Sequence, residues 1–194
     1  MVESVPEVGQ TIKIAIIGGT GAVGREVVER AIAHPRVSEI VIVLRRYPFH
    51  EWQEMPDYRQ KCKVITKETF EAFEESEVEL LRGSNAFICT LGSRWKESEE
   101  VLTRVEGTYP LSFAKLALEL KVPHFCHLSA EAANSNSYLY FLRNKARTEE
   151  LLSGLGLPQL TICKPGLIEN RRNDKRLTET ILSWVPFMRK IDAG

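Results

Sequence analysis

The part of this 194-residue sequence best placed to do chemistry is a glycine run with an apolar stretch before it and a helix-forming stretch after it. The run is Gly18-Gly19-Thr20-Gly21-Ala22-Val23-Gly24, and it holds the patterns Gly-x-x-Gly-x-x-Gly and Gly-x-Gly-x-x-Gly in overlapping frames. Ile14-Ala15-Ile16-Ile17 reads as a strand entering the loop, and Arg25-Glu26-Val27-Val28-Glu29 as a helix leaving it. Glycine permits a tight strand-to-helix turn and lets the backbone come close to a phosphate, while Gly24 lets the helix pack near the sheet. The N–H groups and positive end of the helix then face the anion. Such a strand–loop–helix unit is the context in which a glycine motif points to the pyrophosphate of a dinucleotide.

A second group bears on which dinucleotide. The next apolar run ends in Val43-Leu44-Arg45-Arg46. A site for NAD(H) normally has a carboxylate there for the ribose 2′-hydroxyl. Two guanidinium groups suit a 2′-phosphate instead, because arginine gives it two hydrogen bonds and stacks on adenine. The expected cofactor is NADP(H), with NAD(H) as the weaker alternative. Metal chemistry has no comparable signal. Cys62, Cys89, Cys126 and Cys163 lie 27, 37 and 37 residues apart, without the short spacing of a zinc site. They read as free buried thiols, and His124 and His127 as satisfied or exposed side chains rather than a base or ligand.

Positioning the glycine loop and the arginines requires alternating strands and helices. Strands are expected at 12–17, 39–44, 63–66, 86–90, 124–128 and 160–164, with helices at 23–33, 70–81, 110–120 and 138–152. Short apolar, β-branched runs suit strands buried on both faces. Their alternation with amphipathic segments predicts an α/β fold, a Rossmann-type doubly wound parallel sheet with right-handed crossovers. Residues 46–61 read as a surface loop. Length favours one domain at about 100–200 residues per domain: residues 1–11 a tail, 12–194 the domain, with a substrate-side region from about 167. In that region Leu177, Ile181, Leu182 and Trp184 suggest a packing helix.

Bulk composition removes several classes. The 26 basic and 26 acidic side chains leave no net field to attract nucleic acid or an anionic membrane. No run approaches the ~18 apolar residues needed to span a bilayer. The first residues lack a basic start followed by an apolar stretch. A cytoplasmic protein is expected on these grounds.

Taken together, the glycine run, Leu44-Arg45-Arg46, Cys89-Thr90-Leu91-Gly92, Val105-Glu106 with Tyr109, His124-Phe125 with Leu128-Ser129, and Lys164-Pro165-Gly166 resemble the short-chain dehydrogenase/reductase superfamily. Within it, the chain is most similar to the atypical group of the Tat-interacting oxidoreductase homologue. The resemblance runs from about Lys13 to Gly166. It implies NADP(H) along the carboxyl ends of the strands, Leu91-Gly92 beside the adenosine half and Pro165-Gly166 adjoining the nicotinamide. It also implies a serine that positions a carbonyl, at Ser129, and a lysine that binds the nicotinamide ribose, at Lys145. In this superfamily a tyrosine four residues before the lysine transfers the proton, its pKa lowered by that lysine.

The sequence departs from that pattern at four places. Phe141 stands four residues before Lys145 and has no hydroxyl. Tyr140 lies about 140° round a helix from Lys145 and should face away; Tyr138 shares its face but sits about 10 Å along the axis. Ala130 follows Ser129 where the group often has a second serine. Thr66 ends the third strand where an aspartate usually adjoins the adenine. The chain ends at Gly194, before a further helix and strand of its relatives, which leaves the substrate side open or reliant on a protein partner or a second copy. Two readings follow: a cofactor-responsive binding protein with weak or no turnover, or an NADPH-dependent reductase of an unknown carbonyl substrate with a displaced tyrosine.

Overall fold

The computed structural model describes residues 11–46, 49–93, 96–166 and 168. Its elements, in chain order, are β1 (Ile12–Ile17), α1 (Ala22–Ala33), β2 (Val37–Leu44), α2 (His50–Gln53), α3 (Tyr58–Lys61), β3 (Cys62–Thr66), α4 (Glu75–Leu81), β4 (Ala86–Cys89), α5 (Glu99–Thr103), α6 (Tyr109–Glu119), β5 (His124–Leu128), α7 (Tyr140–Ser153) and β6 (Gln159–Cys163). The strands form one parallel sheet in the order β3-β2-β1-β4-β5-β6. The expected Rossmann-type sheet is therefore present, with its strand order reversing between β1 and β4. That reversal opens a crevice at the strands' carboxyl ends, where ligands of such sheets bind.

The sheet is buried on both faces. Ile14, Ile16, Ile40 and Ile42 pack under Val28, Ala31 and Ile32 of α1. Ala15, Ile17, Val41, Val43 and Phe87 face the opposite layer, where Phe113 of α6 stacks on Phe87 at 4.4 Å. Two burdened faces explain why β1 and β2 read as continuous apolar runs rather than alternating ones. In α1, Gly24, Val28, Ala31 and Ile32 are buried at the spacing of one helical face.

Three expectations need correction. Residues 46–61 are not simply a surface loop: they contain α2 and α3, and Trp52 and Tyr58 are buried in the α1-side layer. The helix expected from residue 70 begins at Glu75, fixed by a capping box between Glu74 and Glu77. Phe70 and Phe73 have helix-like spacing, yet they are held by aromatic packing on Tyr109 and Phe113 ahead of the helix. Finally, α5 was not expected. It starts at a Ser98 cap and buries only Leu102, too little apolar periodicity to announce a helix.

Between α5 and α6 the helical path widens into a π-turn over Arg104–Thr108. Pro110 explains part of this. It has no N–H to give the carbonyl of Glu106, four residues earlier. That carbonyl instead accepts the Thr148 hydroxyl of α7 at 2.8 Å. Residues 1–10 of the expected 1–11 tail, and the helix expected through Leu177 and Trp184, lie outside the described residues.

Candidate functional site

The glycine loop is pressed against the end of β4. Gly18 has φ +87°, and a Cβ there would come within 2.6 Å of the Leu91 nitrogen and the Thr90 carbonyl carbon. A Cβ on Gly24 would lie 2.2 Å from the Gly18 oxygen and 2.6 Å from Thr90 Oγ1. Thr90 itself donates to the Ile17 carbonyl through its backbone N–H (2.9 Å) and hydroxyl (3.1 Å). Only a chain without side chains at 18 and 24 fits this space.

Gly21 caps α1 without any side-chain bond, and no acidic residue stands in the first turn. The helix therefore presents its N-terminal N–H groups to whatever fills the loop. Thr20, Gly21 and Ala22 are exposed at the loop's rim, Gly19 is buried beneath it and Val23 is half-buried. Arg25 turns away, bonded to Glu29 at 2.8 Å and lying over Phe49. Arg45 and Arg46 are exposed just beyond β2, and Thr66 is exposed at the end of β3, in register with Leu44. The cradle and the arginines thus open on the same end of the sheet.

The other side of the crevice is polar and buried. Glu106, on the π-turn, is 2% exposed. One of its oxygens accepts the backbone N–H and the hydroxyl of Ser93, both at 2.7 Å. The other lies 2.7 Å from Lys145 Nζ of α7. Ser93 follows Leu91, which is buried, and Gly92, which is exposed with open space at its Cβ position. Glu106 therefore links the loop after β4 to the lysine on α7. His127 lies in the same layer with neither ring nitrogen bonded. Burial, and secondarily Lys145, push its pKa down to about 3. Burial raises the Cys89 thiol to about 12. His127 is thus neither satisfied nor exposed, a departure from the sequence reading.

Ser129 is buried, and its hydroxyl donates to Glu149, one turn beyond Lys145. Glu149 is also paired with Lys164 at 2.6 Å. The structure therefore ties Ser129 to α7 and, through Lys164, to the end of β6. Tyr138 precedes α7 and is fully exposed, so helical spacing from Lys145 does not apply to it. Tyr140 opens α7 and meets Thr103 Oγ1 with its hydroxyl at 2.7 Å. It does not face away: Tyr140 and Lys145 reach the same neighbouring segment, at Thr103 and Glu106. Phe141 is half-buried between them in sequence. Pro165 is half-buried and its carbonyl accepts the Glu131 N–H at 3.1 Å, while Gly166 is exposed.

Glu106 and Glu149 have no assigned role in the sequence reading. The signal for Glu106 was Pro110, whose missing N–H marks a disturbed turn. Glu149 carried no signal, because its partners come from two other elements.

No family model matches the chain. Protein fmp52-1 of Aspergillus oryzae is 27% identical over 186 residues, covering 93% of this chain and 76% of that protein. HTATIP2 of Rattus norvegicus is 24% identical over 168 residues, covering 86% of this chain and 67% of its own. The chain is similar to the fmp52 and HTATIP2 proteins. The resemblance to the atypical short-chain dehydrogenase/reductase group holds on these relatives. Among solved structures, the Bordetella bronchiseptica enzyme WbmH in complex with NAD+ matches with TM-score 0.64 and 14% identity. That match spans 89% of this chain and 62% of WbmH, and it speaks for the fold.

The comparisons overturn the cytoplasmic expectation. The fmp52 relatives are named mitochondrial proteins. An apolar stretch is the mark of a secretory leader, whereas mitochondrial addresses are amphipathic. Among the described residues no helix is long and apolar enough to cross a membrane.

Proposed function

We propose that this chain binds a nicotinamide dinucleotide in the crevice between β1 and β4, prefers NADP(H) to NAD(H), and works as a cofactor-responsive binding protein with weak or no turnover. The observation that carries the reading is the cradle at Gly18 and Gly24, where a Cβ would collide with Thr90, Leu91 or the loop itself. A pyrophosphate fits that cradle by its charge and by the uncapped start of α1. Arg45 and Arg46, exposed beyond β2, supply the charge for a 2′-phosphate. Leu91, Gly92 and Thr66 would border the adenosine half, with Lys145, Pro165 and Gly166 toward the nicotinamide.

When bound, the cofactor would supply hydride chemistry; the chain's own residues are poorly arranged to supply the proton. Phe141 has no hydroxyl, Ser129 is committed to Glu149, and Lys145 is paired with Glu106. Melting curves with NADPH, NADH and no ligand test the reading. Ligand at 100 times its dissociation constant adds about 2.7 kcal/mol of stability. The expected result is a larger shift with NADPH at equal concentration. Equal shifts would remove the arginine argument, and no shift with either would remove the cofactor.

One observation favours a second reading, an NADPH-dependent carbonyl reductase. The Tyr140 hydroxyl reaches Thr103 on the segment that also holds Lys145's partner. Carbonyl-dependent NADPH oxidation that is lost in Tyr140→Phe would establish this reading over the first.

A further inference from the structure

Cys126 and Cys163 lie 37 residues apart in sequence, yet their Sγ atoms are 3.9 Å apart. Consecutive parallel strands explain the meeting. Cys126 is on β5 opposite Thr161, and Cys163 ends β6 opposite Leu128. Cys126 is also in register with Ile88, which packs with the α1-side layer. Both thiols therefore lie on that face, beyond β1 and β2, the strands that α1 covers. Cys126 is half-buried and Cys163 is exposed, so neither is the buried structural thiol read from the sequence. Burial first, and the neighbouring Cys163 second, raise the Cys126 thiol to about 12.

We propose that Cys126 and Cys163 form a redox modification site in which a peroxide converts the two thiols to one intrachain disulfide. The accessible sulfur of Cys163 attacks a peroxide oxygen; the O–O bond breaks, and water or an alcohol leaves. Cys163 is then a sulfenic acid. Cys126 attacks that sulfur, the S–O bond breaks, and a second water leaves with the thiol proton. Two thiols lose two electrons and the peroxide gains them. The sulfurs must close from 3.9 Å to about 2.05 Å. That movement falls on β6, which among the described residues is an edge strand with β5 beside it.

The site also has a route to the crevice. The Cys163 carbonyl accepts the Ser129 N–H at 2.8 Å, and the next residue, Lys164, is paired with Glu149, the acceptor of the Ser129 hydroxyl. Drawing Cys163 toward β5 therefore acts on Ser129 and on the Lys164–Gly166 segment. The chemistry itself needs no bound cofactor.

The test treats the full chain with graded hydrogen peroxide, blocks remaining thiols with N-ethylmaleimide, and maps the peptides by mass spectrometry. The expected product is a monomer lighter by two hydrogens with a 126–163 cross-link, while Cys62 and Cys89 stay reduced. In Cys126→Ser the cross-link is lost and Cys163 gains oxygen instead. Oxygen adducts on Cys163 in the unaltered chain, a chain-to-chain disulfide through Cys163, or no oxidation where iodoacetamide still labels Cys163 would each overturn the proposal.

Discussion

The two sides of the crevice are built in opposite ways. Beside β1 the site is made of backbone: glycines without side chains, uncapped N–H groups, and an apolar helix face beneath them. Beside β4 and β5 it is made of side chains that satisfy one another, with Glu106 holding Ser93 and Lys145, and Glu149 holding Ser129 and Lys164. The first side is open to a ligand as it stands. The second has its charges already partnered, so a ligand there must compete with Glu106 for Lys145. This contrast is what supports the proposed reading of binding ahead of turnover.

Removing the Glu106 carboxylate breaks the second side most severely. Glu106→Ala leaves Lys145 buried without a counter-charge, at a cost of about 3–5 kcal/mol. Urea unfolding should register this loss, and Glu106→Leu combined with Lys145→Met should recover most of it. If the single variant loses under 1 kcal/mol, the pair is not the brace described.

On the first side, Gly24→Ala places a methyl against the Gly18 carbonyl oxygen and Thr90. Overpacking of this kind costs about 1–3 kcal/mol. The same variant should lose the cofactor-dependent melting shift, whereas Glu106→Ala should retain a reduced one. Equal retention in both would erase the contrast between the two sides.

His127 sharpens the comparison through pH. Its pKa is about 3 in the folded chain, against 6.5 for the free side chain. The unfolded chain therefore binds the proton first as pH falls. The stability this neutral histidine preserves is fully present above pH 6.5 and is lost below it, with a slope approaching 1.4 kcal/mol per pH unit. His127→Gln should flatten the profile between pH 6 and 5, measured by urea unfolding. His124, lowered by burial in the same direction, leaves a smaller residual slope. An unchanged slope would show that His127 is hydrated.

The smallest effect on stability is expected at the arginines. Arg45→Ala with Arg46→Ala should change unfolding by no more than about 0.5 kcal/mol, as exposed positions do. It should nevertheless equalise the melting shifts from NADPH and NADH.

The strands and the glycine loop were legible because their information is local. Ile12–Ile17 and His124–Leu128 match the expected strands, and the other strand boundaries move by one or two residues. Errors arose where local pattern and long-range packing disagreed. Phe70 and Phe73 imitate a helical stripe but belong to an aromatic cluster with Tyr109 and Phe113. Trp52 sits in a charged, proline-flanked stretch that reads as loop, yet it is wholly buried in the α1-side layer. Helical spacing within α7 does not by itself place Tyr140, because its hydroxyl meets Thr103 of α5.

By itself, the sequence determined the parallel sheet and the place of the glycine loop, because apolar runs, glycine and turn chemistry act within a few residues. Only the tertiary structure decided what the ionisable and sulfur groups do. Lys145 meets Glu106 across 39 positions, Ser129 meets Glu149 across 20, and Cys126 meets Cys163 across 37. Those meetings depend on how crossovers lay one element beside another. Charge pairing, burial and thiol proximity fall off over a few ångströms of space, whatever the separation along the chain.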